Sequence, residues 1–218
     1  MLQLRFFKAT RPTLTRISGI GLVITAGLML AASPALAHHP FGGETPTNAF
    51  QGFLSGLGHP VIGLDHLAFV ITAGLLAAVM GRGLLIPLSF VAASLAGTGL
   101  HLMEFDLPAP EFTISASVVL FGALLAMKQQ PRTEIVAGLA ALAGLFHGYA
   151  YGEAVVGAEM GPLFAYLLGF AAIQTAIAVS AYGIANRLAK QDGTLTLRFA
   201  GFALAGAGAA FLSGVVLG

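Results

Sequence analysis

Six histidines and one aspartate hold most of the chemistry this chain can do. Three of them fall in one string, Gly58-His59-Pro60-Val61-Ile62-Gly63-Leu64-Asp65-His66. His147 lies in a second, Phe146-His147-Gly148-Tyr149-Ala150-Tyr151-Gly152-Glu153. His101 closes another apolar stretch, and His38 and His39 stand side by side near the N-terminal end. Imidazole with carboxylate is a donor set suited to Ni²⁺, Co²⁺, Zn²⁺ and Cu²⁺. The chain has no cysteine, which removes thiolate metal sites, disulfides and cysteine nucleophiles.

The elements that must position these residues are membrane-like. Of 218 residues, 57% are hydrophobic and 9% charged, where a soluble domain carries about 25% charge. Ten Lys and Arg with nine Asp and Glu cannot cover a soluble fold of this size. A water-soluble enzyme and a nucleic-acid-binding domain are thereby excluded, and an all-α protein whose partner is the lipid bilayer remains.

Residues 1–37 read as a cleavable signal peptide. Arg5, Lys8, Arg11 and Arg16 precede the apolar run 17–32, and Ser33-Pro34-Ala35-Leu36-Ala37 supplies the small residues of a cleavage site. The alternative is an uncleaved first transmembrane helix. Cleavage after Ala37 leaves six basic and nine acidic residues, a formal charge of −3. N-terminal sequencing of the purified protein is expected to begin at His38; a start at Met1 would overturn this reading.

Six apolar segments follow, roughly 59–81, 83–102, 112–129, 133–153, 162–186 and 195–217, each near the ~20 residues a helix needs to cross a bilayer. The expected arrangement is a tail over 38–58, then a six-helix transmembrane bundle over 59–218. The tail holds a short interfacial helix over 47–57, capped by Asn48 or Thr47. Arg82, Lys128, Arg132, Arg187, Lys190 and Arg198 fall at one end of the spans, and Glu104, Asp106, Glu111, Glu153 and Glu159 at the other. The positive-inside rule then places both mature termini in the periplasm and the basic loops in the cytoplasm, in a bacterial inner membrane. Small residues such as Gly52/Gly56, Ser94/Gly97, Gly138/Gly144 and Gly206/Gly208 suit close helix approach.

Charge inside a membrane segment is costly and marks function. With the first span starting at His59, Asp65 lies about 9 Å below its start, and His66 follows His59 by one heptad on roughly the same face. Pro60 fits the first helical turn, where its missing N–H does no harm. His101 and His147 reach a matching depth. A carboxylate there needs a metal ion, a proton or a basic side chain. Glu153 reads either as a mouth residue or as a solvated helix end. Gln174, mid-span, reads as a path residue or a bridge between helices. Tyr149 and Tyr151 read as partners of ligand residues or as interface aromatics.

The string GHPVIGLDHLAF resembles the signature of the HupE/UreJ family of membrane metal permeases, and FHGYAYGE is similar to that family's second conserved region. The leader, the histidine-first mature end and the six spans fit as well. The resemblance implies nickel or cobalt import, with His59, Asp65, His66, His147 and Glu153 on the metal path. Tyr149 and Tyr151 stand where many relatives carry histidine, so a histidine-rich second site is absent.

The expected function is therefore transport, not catalysis. The chain would import a divalent metal ion, Ni²⁺ or Co²⁺ with Zn²⁺ or Cu²⁺ also compatible, as substrate and not as a tightly bound cofactor. His38 and His39 would capture it, and His59, Asp65, His66, His101, His147 and Glu153 would form the metal-binding set. No GxxxxGK[ST] loop is present to couple ATP. Two alternatives compete: an intramembrane Zn²⁺-dependent hydrolase, which lacks an HExxH motif here, and a periplasm-facing sensor or accessory subunit.

Overall fold

The computed structural model describes residues 44–190 and 193–218. The expected signal peptide, His38 and His39 lie outside the described residues. Within them the chain is helical: α1 Ala49–Ile62, α2 Leu64–Met80, α3 Leu85–Leu102, α4 Pro110–Ala126, α5 Thr133–Gly152, a 3₁₀ turn Glu153–Val155, α6 Met160–Ala189 and α7 Thr194–Leu217. Four helices are long and apolar enough to cross a membrane: α3, α5 with its 3₁₀ turn, α6 and α7. The bent pair α1–α2 makes a fifth if it is one span, and α4 is a shorter apolar helix of 17 residues. Large apolar side chains such as Phe164, Leu168, Ile184 and Leu142 point outward. So much exposed apolar surface suits lipid and not water, and the protein is a multi-pass membrane protein.

The start of the first span differs from expectation. The interfacial helix does not stop at 57 but runs on through His59 and Pro60 to Ile62, and α2 leaves it at 79°. Asn48 caps α1 through its side chain, which accepts from Gln51 N at 3.0 Å. Gln51 Oε1 in turn accepts from Thr47 N at 2.9 Å, so donors at both sides of the cap are satisfied. Pro60 therefore sits in the last turn of α1 and not in a first turn. It lacks the N–H that would bond Gly56 O and so weakens the helix where it ends. Gly63 then forms the corner with extended backbone, φ −71° and ψ 99°. His59 and His66 are on different helices, so the heptad relation does not bring them together. Asp65 is in the first turn of α2 and half-buried, not two turns below a helix start.

Glycines seam the helices in pairs. A Cβ on Gly52 or Gly56 of α1 would meet the carbonyl oxygens of Pro162 and Tyr166 on α6. Gly97 of α3 faces Leu145 O, and Gly144 and Gly148 of α5 face Phe90 O and Ser94 O. Gly122 of α4 lies on Ala205, and Gly201 and Gly208 of α7 lie on Ala126 and Val119. Small residues let backbones touch where the surrounding lipid offers no hydrophobic drive. Gly138 and Gly206 do not share this role, since their added Cβ would meet nothing within 4 Å. At the basic end Arg198 Nε donates to Ala126 O at 2.8 Å, placing a cation on the negative end of α4.

Candidate functional site

The α1–α2 corner lies against α5 and α6, and three histidine rings meet there. His59 and His66 have ring centroids 5.9 Å apart, and His66 and His147 4.8 Å apart. All three are at most 3% exposed. His59 comes from the last turn of α1, His66 from the first turn of α2 and His147 from α5. Phe69 and Phe90 pack on the His147 ring at 4.8 and 5.2 Å. Tyr151, one turn along α5, packs on His59 at 5.0 Å and on His66 at 4.5 Å. The rings of Tyr151, His59 and His66 thus form a triangle, each in contact with the other two.

The hydrogen bonds assign the tautomers. Ser117 Oγ of α4 is 2.6 Å from Ile114 O and 3.0 Å from His147 Nε2. The hydroxyl has one proton, and the carbonyl at the shorter distance can only accept. Ser117 therefore donates to Ile114 O and accepts from His147 Nε2–H. Neutral His147 then carries its lone pair on Nδ1, which lies 2.7 Å from His66 Nδ1. So His66 Nδ1–H donates to it. A second relay has the same form. Tyr166 Oη of α6 donates to Tyr151 O at 2.8 Å and so accepts from His59 Nδ1–H at 3.0 Å.

Each relay ends on a backbone carbonyl and holds its histidine through Nδ1. Histidines that bind metal are held in this way, the second nitrogen donating to a fixed acceptor. In this arrangement both nitrogens of His147 are engaged, one with Ser117 and one with His66. His147 therefore orients His66. Among the described residues no group of three or more His, Asp or Glu side chains is arranged to hold a metal ion.

Local electrostatics favour a cation at the corner. α1 ends there, presenting the negative end of its dipole. Asp65, in the first turn of α2, offsets the positive end of that helix, and its Oδ1 accepts from His66 N at 2.8 Å. Broken membrane helices present helix ends to ions in this manner.

The other expected residues lie apart. The half-buried His101 ring packs near-perpendicular on Tyr149 at 4.6 Å and beside Gly152. Those residues lie on a different face of α5 from His147 and Tyr151. Tyr149 Oη donates to Asp106 Oδ1 at 3.4 Å near the acidic end. Glu153 opens the 3₁₀ turn and is exposed. Ser117 and Tyr166 are the residues that sequence reasoning missed. Tyr166 carried a signal: Tyr166, Phe170 and Gln174 recur every fourth residue along one buried face of α6, two of them polar in an apolar run.

A family model described as "HupE / UreJ protein" matches residues 26–211. The curated Protein HupE of Rhizobium leguminosarum bv. viciae is 32% identical over 193 residues, covering 88% of this chain and 97% of that one. No solved structure matches.

Proposed function

The chain belongs to the HupE / UreJ family, and from that premise we propose that it imports nickel or cobalt through a six-span bundle, with His59 and His66 as the nitrogen ligands on the path. The observation that supports this is the meeting of His59 and His66, each held through Nδ1 by a relay, at the corner of one broken helix. Asp65 supplies the negative charge, and His147 and Tyr166 hold the imidazoles in place. Two imidazoles completed by water, with the carboxylate as a nearby charge and not a third ligand, form a mixed N/O set weaker than a closed four-ligand site. A carrier needs this, since an ion held too firmly is not released.

The acidic end faces the periplasm in this reading. Glu104, Asp106, Glu111, Glu153 and Glu159 raise the cation concentration at the mouth, and His38 and His39 make the first contact with the ion. His101 takes part near the surface and not at the histidine pair.

The test is uptake into proteoliposomes. The wild-type protein should accumulate ⁶³Ni or ⁵⁷Co saturably. Asp65→Asn keeps the size and an acceptor for His66 N but removes the charge, and should lower the initial rate by about tenfold. Stoichiometric Zn²⁺ binding with no flux would overturn transport in favour of a hydrolase. Flux that needs a second protein would make the chain an accessory subunit.

A further inference from the structure

A cavity of about 360 Å³ lies away from the histidines, at the basic end. It forms where the last turn of α2 and the turn after it meet the start of α5. Its walls differ in chemistry. Val79, Met80 and Pro131 supply apolar surface, and Arg82 and Arg132 supply two guanidinium groups from separate loops. Thr133, the first residue of α5, lines it too and is 8% exposed.

We propose that this cavity binds the phosphate of an anionic phospholipid, with Arg82, Arg132 and the Thr133 hydroxyl as donors and the apolar wall against the glycerol and first acyl carbons. The site goes beyond the transport reading above, and lipid binding there does not depend on the transported ion.

The donors are free to take a ligand. Among the described residues Arg82 has no salt bridge, and Arg132 Nε lies 3.7 Å from Glu134 Oε2 with both side chains largely exposed. An exposed pair of that kind is weak, and with a single carboxylate beside two guanidiniums the cavity stays positive. Planar guanidinium forks match phosphate oxygens. Hydroxyls within these helices usually donate to the carbonyl four residues back, as those of Thr72, Thr98 and Thr175 do. Thr133 opens its helix and has no such helical carbonyl, and its hydroxyl makes no hydrogen bond among the described residues. α5 also starts here without a side-chain cap, so its positive end adds to the field.

The apolar wall favours a lipid over a soluble phosphate. The cavity sits at helix ends, and Ile135, next along α5, is 55% exposed, so lipid-facing surface begins at its edge. Basic pockets between membrane helices suit anionic head groups for this reason. A phosphate held by Arg82 and Arg132 would join the end of α2 to the start of α5. Those helices carry His66 and His147 at their other ends.

Phospholipid binding to the delipidated protein in detergent, followed by native mass spectrometry, tests the site. Wild type should bind phosphatidylglycerol about tenfold more tightly than phosphatidylcholine, and Arg82→Gln with Arg132→Gln should abolish that preference. Arg187→Gln with Lys190→Gln removes equal charge at the same end, outside the cavity, and should keep the preference within about twofold. Thr133→Val should weaken phosphatidylglycerol by about threefold. A wild type without preference overturns the proposal, as does equal loss in the two double variants, which would mean diffuse surface charge. Inorganic phosphate that displaces the lipid at equal concentration would overturn the lipid in favour of a soluble phosphate compound.

Discussion

Replacing His66 with leucine and His147 with phenylalanine together is expected to give a folded protein whose ⁶³Ni uptake is below about 1% of wild type, beyond the 10–100-fold loss usual for a supporting residue alone. The pair is chosen because the two rings are bonded to each other, Nδ1 to Nδ1 at 2.7 Å. His66→Leu alone leaves His147 Nδ1 as a buried acceptor without a donor, a cost of about 1–3 kcal/mol. Removing both partners at once avoids that orphan, and Phe at 147 extends the aromatic cluster of Phe69, Phe90 and Phe121. Ser117 keeps its bond to Ile114 O. Thermal unfolding in detergent should therefore place the double variant above the His66→Leu single, while neither takes up nickel. His147→Phe alone retains His66 with its orienting acceptor gone, and should lose about 10–100-fold in uptake. Uptake by the double variant above half of wild type would remove His66 from the path.

That experiment depends on a juxtaposition only partly legible in the sequence. The residue types were readable: in a chain with 9% charge, an aspartate between histidines in an apolar string stands out. The apolar lengths and the alternation of basic and acidic ends were readable too, because both follow from bilayer thickness and from the cost of moving charge across it. The break at Gly63 is not legible. Pro60 fits a first turn, where Pro is tolerated, and fits a last turn equally well if the chain then bends. Hydropathy does not separate the two, since a bend in an apolar run leaves composition unchanged. The partners of the histidines were unreadable for another reason. Ser117 and Tyr166 lie 30 and 107 residues from the histidines they hold, and only the packing of α4 and α6 brings them there. His101 shows a further limit: depth in the membrane leaves the direction around the helix undetermined, and its ring packs on Tyr149 and not on the other histidines.

The last prediction connects the glycine seams to the site. Gly148→Ala is expected to destabilise the protein by about 1–3 kcal/mol or more, as overpacking does, and to lower nickel uptake as well. The added methyl would occupy the position of Ser94 O, a backbone atom that cannot rotate away. Thr98 Oγ1 binds both Gly148 O at 2.8 Å and Ser94 O at 3.1 Å, so the α3–α5 pair is held at this level by one hydroxyl that spans both carbonyls. Forcing the helices apart breaks that bridge. It also moves His147, the preceding residue, relative to His66, and a 2.7 Å contact does not survive a shift of an ångström. Gly138→Ala on the same helix is the control, because nothing lies within 4 Å of its added Cβ. The thermal midpoint in detergent should fall by about 5–10 °C for Gly148→Ala and stay unchanged for Gly138→Ala. Equal midpoints for the two variants would mean that the α3–α5 seam does not set the position of the histidine.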